Sequence, residues 1–402
     1  MAFRPRPRRP PRRSPRSSWS IPDLRGPRGV TTSLRLGDHF KTSSGDSPRN
    51  RPHRHSLRRF IVRSFVKTTF AVMCSVALAS PAVAQDLTGA GATFPFPIYD
   101  KWFHEYAAKK GVQINYQSIG SGGGIKQLTE GTVDFGASDA PMSDAELAKA
   151  KGPVMHVPTV LGAVVVTYNV PGLTKELRLD GTTLAGIFLG EITKWNDARI
   201  QKLNAGTRLP ATDILVVHRS DGSGTSYVFT DYLTKVSPSW AAKPGKGKDV
   251  QWPVGLGGKG NDGVTGQVKQ LPGSIGYVEL AYAKQNKLPY AQIRNASGEY
   301  VTPTIAAVTA AAASAKLPAN TDYRVSIVDA GGKGAYPISS FTWLLIYEKQ
   351  MDADKSRKLL DFVRWALTEG EKSAPSLDYA PIPAAMAKQL IKRLNTVTVV
   401  AR

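Results

Sequence analysis

Three times along this chain a glycine- and hydroxyl-rich turn stands between a short apolar run and a stretch with helical spacing, and no other feature limits the fold as much. The clearest is His218-Arg219-Ser220-Asp221-Gly222-Ser223-Gly224-Thr225-Ser226, entered from the apolar residues 214–217 and followed by the helix-compatible residues 227–233. Residues 87–97 lead in the same way to apolar positions Ile98, Trp102 and Tyr106, and the strand-like residues 112–116 lead to Gly120-Ser121-Gly122-Gly123-Gly124. A strand that ends in such a turn and continues as a helix aims backbone N–H groups and hydroxyls at one small oxyanion. Arg219 adds a guanidinium to that set. Repeated strand–helix alternation predicts an α/β fold with mostly parallel sheets flanked by helices.

Two longer β-prone runs, residues 155–168 and 337–347, are nearly continuous, as strands buried on both faces are. They are candidates for the crossings between two lobes. Ser143 and Glu146 have capping-box spacing. Residues 184–190 read as a short helix, 237–247 as a polar loop, 300–320 as a helix with a loose connection, and 356–368 and 383–394 as closing helices. No internal repeat is found.

The chain has 402 residues and a formal net charge of +22, which invites a nucleic-acid reading. The distribution argues against it: residues 1–84 carry 18 Lys or Arg against 3 Asp, leaving 35 basic and 28 acidic residues for the remainder. Residues 1–57, rich in Arg, Pro and Ser, cannot form a packed core. Three readings stay open for them: a region translated from a misplaced start, a long leader, or a nucleic-acid-binding arm. Residues 58–84 have the form of a secretory signal, with Arg58, Arg59, Arg63 and Lys67 before an apolar stretch and Ala82-Val83-Ala84 at its end. Cleavage is expected after Ala84. The only cysteine, Cys74, lies in that segment, where Met73 before it does not fit a lipoprotein site.

Several motifs are weaker than they look. Gly255-Leu256-Gly257-Gly258-Lys259-Gly260 matches G-x-G-x-x-G in form, but Pro253 fits poorly in a leading strand, and a turn or helix start is expected instead. His104, His156 and His218 have no compact metal-ligand spacing, so structural or surface roles are expected. Ser223 lacks a nucleophile elbow and an identifiable base. Asp139 is the informative residue, because a carboxylate repels an anion unless that anion carries a proton to share. Hydrogen phosphate carries one and sulfate does not, a difference of about 1–3 kcal/mol when a buried acceptor is left unmet. Taken alone, Asp139 reads equally as a helix cap or turn former.

The motifs together resemble the phosphate-binding proteins of bacterial high-affinity phosphate ABC transporters. The resemblance rests on residues 87–95, 119–124, 133–141 and 219–226, on Gly257-Gly258-Lys259-Gly260-Asn261-Asp262-Gly263, and on Gly273-Ser274-Ile275-Gly276-Tyr277-Val278-Glu279, all in one order. It implies a type II, two-lobed periplasmic binding protein with two hinge crossovers, one lobe of residues 86–166 with 341–402 and the other of 167–340. It further implies that Thr93, Phe94, Ser121, Asp139, Arg219, Ser223, Gly224 and Thr225 hold inorganic phosphate, with Asp221 orienting Arg219. A membrane permease is the implied partner, and the expected state is a periplasmic monomer that is not an enzyme, with no metal, cofactor or nucleic acid. A secreted phosphatase would need a nucleophile with a base, or a metal cluster. A sulfate- or molybdate-binding protein is disfavoured by Asp139, and a nucleic-acid module would rest on a leader lost in export.

Overall fold

The computed structural model describes residues 86–315 and 322–399; the expected leader, signal segment and cleavage site lie outside them. Strand β1 (Leu87–Gly91) pairs in parallel with β2 (Ile114–Ser118) on one edge and β3 (Phe135–Ser138) on the other. Helix α1 (Phe96–Lys110) connects β1 to β2, and α2 (Ser121–Glu130) connects β2 to β3. Proline sits in the first positions of α1, where the missing N–H has no intrahelical partner to lose. Gly111, at φ 71°, ends that helix in the left-handed region that favours glycine. Ile98, Tyr99, Trp102, Phe103 and Tyr106 form its buried face, at the spacing that marks it in the sequence.

Strand β4 (Val154–Asn169) ties the sheet together. One edge pairs antiparallel with β11 (Ser339–Tyr347), from Val154↔Tyr347 to Ala163↔Ser339. The other edge meets β13 (Ala380–Pro381) at Val160 and Leu161, then β8 (Ser274–Glu279) from Val164↔Glu279 to Asn169↔Ser274. Strand β6 (Leu215–Arg219) continues in parallel from β8, and β7 (Leu256–Gly258) is the edge beyond it. The full order is β2-β1-β3-β11-β4-β8-β6-β7. Two small sheets lie apart: β5 (Arg178–Leu179), β9 (Gln292–Arg294) and β10 (Tyr300–Val301) form one, and β12 (Lys349–Gln350) with β14 (Thr398–Val399) the other.

The α/β class with helix-flanked sheets is present, and the main sheet is mixed. Its outer pairs are parallel, whereas every pair made by β4 or β11 is antiparallel. A continuous apolar run reports burial of both faces, and β4 is buried from Val154 to Tyr168, but such a run carries no information on strand direction.

Residues 237–247 depart from the expected loop. Pro238–Ala242 is a short helix, because Ser237 Oγ accepts from the Trp240 N–H at 3.2 Å, proline takes the first helical position, and Trp240 is fully buried. The glycine run at 255–260 divides into β7 and the start of a helix at Gly260. The capping box at Ser143 and Glu146 forms as expected, with both reciprocal hydrogen bonds.

Candidate functional site

Four helices begin within hydrogen-bond reach of one another. They are α1 after Thr93 and Phe94, α2 at Ser121, α3 (Gly224–Val236) and α4 (Gly260–Gln270). Asn261, at the start of α4, donates from Nδ2 to Thr93 Oγ1 at 2.7 Å and to Thr225 Oγ1 at 3.1 Å. Its backbone N–H also donates to Thr93 Oγ1, at 3.2 Å. Ser121 Oγ accepts from the N–H groups of Gly224 and Asp139, at 3.1 and 3.2 Å. The start of α2 and the turn before α3 meet directly, with the Gly122 N–H donating to the Gly222 carbonyl at 2.8 Å. Only glycine fits at position 224, since a β-carbon there would come within 2.4 Å of Asp139 Oδ2 and of Ser121 Oγ. Aligned peptide dipoles give each helix start partial positive charge, so their convergence makes one region favourable to an anion.

The backbone around Thr93 is held by two tyrosines. Tyr282 donates its hydroxyl to the Thr93 carbonyl at 2.6 Å, and Tyr379 donates to the Phe94 carbonyl at 2.6 Å, with Glu279 Oε2 3.0 Å from the same hydroxyl oxygen. Ser223 Oγ accepts from the Ser226 N–H at 2.9 Å and so caps α3. Tyr277 receives the Arg219 N–H at 3.1 Å and bonds the Ser226 hydroxyl at 2.6 Å, fixing the end of β6 against the start of α3.

Charge within the site is nearly balanced before any ligand arrives. Arg219 makes a bidentate pair with Asp221, Nε to Oδ1 at 2.7 Å and Nη2 to Oδ2 at 2.5 Å, and its Nη1 reaches Thr225 Oγ1 at 3.3 Å. Burial works to raise the Asp221 carboxyl, but the guanidinium and the Gly260 N–H, donating at 3.0 Å, hold it below its ordinary value. Asp139 is 1% exposed, and burial pushes it up to about 7 despite the Thr342 hydroxyl on Oδ1 at 3.0 Å and the nearby positive charge of Arg219; Asp221 pushes the same way as burial. A carboxyl in this state can share a proton with a ligand oxygen on either side of neutrality.

All eight expected ligand residues are buried around these helix starts. The sequence reading does not include Asn261, Thr342, Tyr282 or Tyr379, although Asn261 lies inside one of the quoted motifs. Among the histidines, His218 stacks on Trp252 with ring centroids 4.9 Å apart and bonds the Arg219 carbonyl at 2.9 Å. His156 is fully buried, with Nδ1 on Asp322 at 2.7 Å and Nε2 accepting from the Met142 N–H at 3.1 Å, so both ring nitrogens are engaged in structure. His104 is exposed on α1.

Buried helix starts converging on one another, on a sheet whose two halves share β4, define a solute-binding protein of the periplasmic-binding class, and the PBP superfamily domain matches residues 76–369. Phosphate-binding protein PstS of Xylella fastidiosa is 47% identical over 305 residues, covering 76% of this chain and 83% of that one. That of Methanocaldococcus jannaschii is 40% identical over 332 residues, covering 76% and 85%. The chain belongs to the PstS family of phosphate-binding proteins, a family of binders and not of enzymes. A solved phosphate-binding protein from Stenotrophomonas maltophilia shares the fold, with a TM-score of 0.61, 21% identity, and 76% and 93% of the two chains covered.

Proposed function

We propose that this protein binds inorganic phosphate with high affinity among the four helix starts and delivers it to the membrane permease of an ABC-type phosphate importer. The observation that carries the reading is Asp139, one buried carboxyl placed among hydroxyl and N–H donors and poised near neutrality. Thr93, Ser121, Ser223 and Thr225 supply hydroxyls, Phe94 supplies an N–H group, Gly224 lets the start of α3 come close to Asp139 and Ser121, and Arg219, steadied by Asp221, supplies charge-assisted hydrogen bonds. Asp139 accepts the proton that hydrogen phosphate carries. The family relatives support phosphate as the ligand.

Residues 86–166 with 341–402 form one lobe and residues 167–340 the other, and the two close over the ligand about β4 and β11. The protein works as a monomer in the periplasm after cleavage behind Ala84. The test is calorimetric titration of residues 85–402 with phosphate and with sulfate, beside an assay for release of phosphate from a phosphomonoester. Tight phosphate binding, weak sulfate binding and no hydrolysis are expected; sulfate bound as tightly as phosphate would sink the role given to Asp139.

A further inference from the structure

We propose that Asn261 is a positioning residue that fixes the direction of the Thr93 and Thr225 hydroxyl protons and thereby sets which protonation state of the ligand is retained. The inference rests on the phosphate-binding reading above and deepens it.

A hydroxyl has one proton to donate and two lone pairs to accept with. The Asn261 side-chain NH2 group can only donate, so the Thr93 and Thr225 oxygens, at 2.7 and 3.1 Å, must both accept from it. Each oxygen then receives a second donor. Thr93 Oγ1 takes the Asn261 backbone N–H at 3.2 Å, and Thr225 Oγ1 takes Arg219 Nη1 at 3.3 Å. With both lone pairs of each oxygen occupied, neither hydroxyl can accept from a ligand, and its proton is left to donate. The two threonines are therefore locked as donors.

The amide that imposes this sense is itself held. Asn261 is fully buried, and its Oδ1 accepts from the Glu279 N–H at 2.9 Å. Rotating the amide by half a turn would set its NH2 against the Glu279 N–H, leaving buried donors unpaired. Glu279 in turn accepts the Ala281 N–H at 2.7 Å and lies 3.0 Å from the Tyr379 hydroxyl, so the constraint extends to the segment holding Phe94.

Ser121 obeys the same rule, because its oxygen already accepts from the N–H groups of Asp139 and Gly224. Three hydroxyls from separate turns thus present only protons, and Asp139 is the acceptor set among them. A freely turning hydroxyl would accept a second ligand proton as readily as it donates. With Asn261 in place, an oxyanion gives one proton to Asp139, and a second finds no acceptor at Thr93, Thr225 or Ser121.

The experiment is a thermodynamic cycle on the exported, phosphate-stripped protein, titrated with inorganic phosphate. Asn261→Ala is expected to weaken binding about 10- to 100-fold in the parent. In a Thr93→Val, Thr225→Val background the same change is expected to cost less than about threefold, because the hydroxyls it acts through are gone. Asn261→Ser, which leaves a smaller polar group at the helix start, runs through the same cycle in case the alanine variant does not fold, and phosphate-free melting temperatures identify variants that have. An Asn261 variant that binds within about twofold of the parent overturns the proposal, as does an equal loss in both backgrounds, which is the signature of a general structural role. A parent that binds no phosphate would instead overturn the function proposed above.

Discussion

At the scale of single residues, the proposed function makes the burial of Asp139 a source of selectivity. Its carboxyl is pushed up to about 7, so it is largely protonated below neutrality and ionised above. Sulfate brings no proton, so the proposed site would accept it only when Asp139 supplies one. Sulfate affinity is therefore expected to fall about tenfold per pH unit above 7, as the protonated fraction falls, and to level off at lower pH. Asp139→Asn removes that pH dependence and narrows the gap between phosphate and sulfate, because an amide donates at every pH. Calorimetry of both anions from pH 5.5 to 9 checks both outcomes. The parent's sulfate curve would have to be flat for the assignment to fail.

At the scale of elements, the work is done by where helices begin. Ser223→Ala removes the cap on α3 and is expected to cost about 1 kcal/mol in denaturant unfolding of the phosphate-free protein. Gly224→Ala acts differently. Its β-carbon would meet Asp139 Oδ2 and Ser121 Oγ at 2.4 Å, so the start of α3 must part from the end of β3. Loss of phosphate binding by more than about 100-fold is expected, with the stabilisation that phosphate gives on melting abolished as well. The turns around Ser121 and Arg219 are legible in the sequence because strand, turn chemistry and helix pattern are all local. Asn261, Thr342, Tyr282 and Tyr379 are not, because 168, 203, 189 and 285 residues separate them from the groups they hold. Local pattern also leaves strand direction open, so the antiparallel middle of the sheet emerges only from the pairing. The helix at Pro238–Ala242, by contrast, has a readable start in Ser237-Pro238, outweighed by the polar residues after it.

At the scale of the whole molecule, buried carboxyls set how stability responds to pH. Glu371 is pushed by burial from its ordinary 4.5 up to about 8, and its Oε2 finds no hydrogen-bond partner among the described residues. Burial drives Glu279 well above its ordinary value too. A group whose pKa is raised by folding contributes stability that is full below its unfolded pKa and is lost as pH rises through its folded one. For Glu371 that window runs from about 4.5 to about 8, and the loss is on the order of 3–5 kcal/mol. Denaturant unfolding of the phosphate-free protein should show stability declining across that window, with a shallower decline in Glu371→Gln; a steeper one would contradict the assignment. The bidentate pairing of Arg219 with Asp221 has a consequence on the same scale. With Arg219 already paired to Asp221, the proposed site would attract its ligand mainly through short-range dipoles, which salt screens little. Capture should therefore proceed almost equally well in dilute and in briny surroundings, which frees an exported scavenger from the one property of its medium that it cannot regulate.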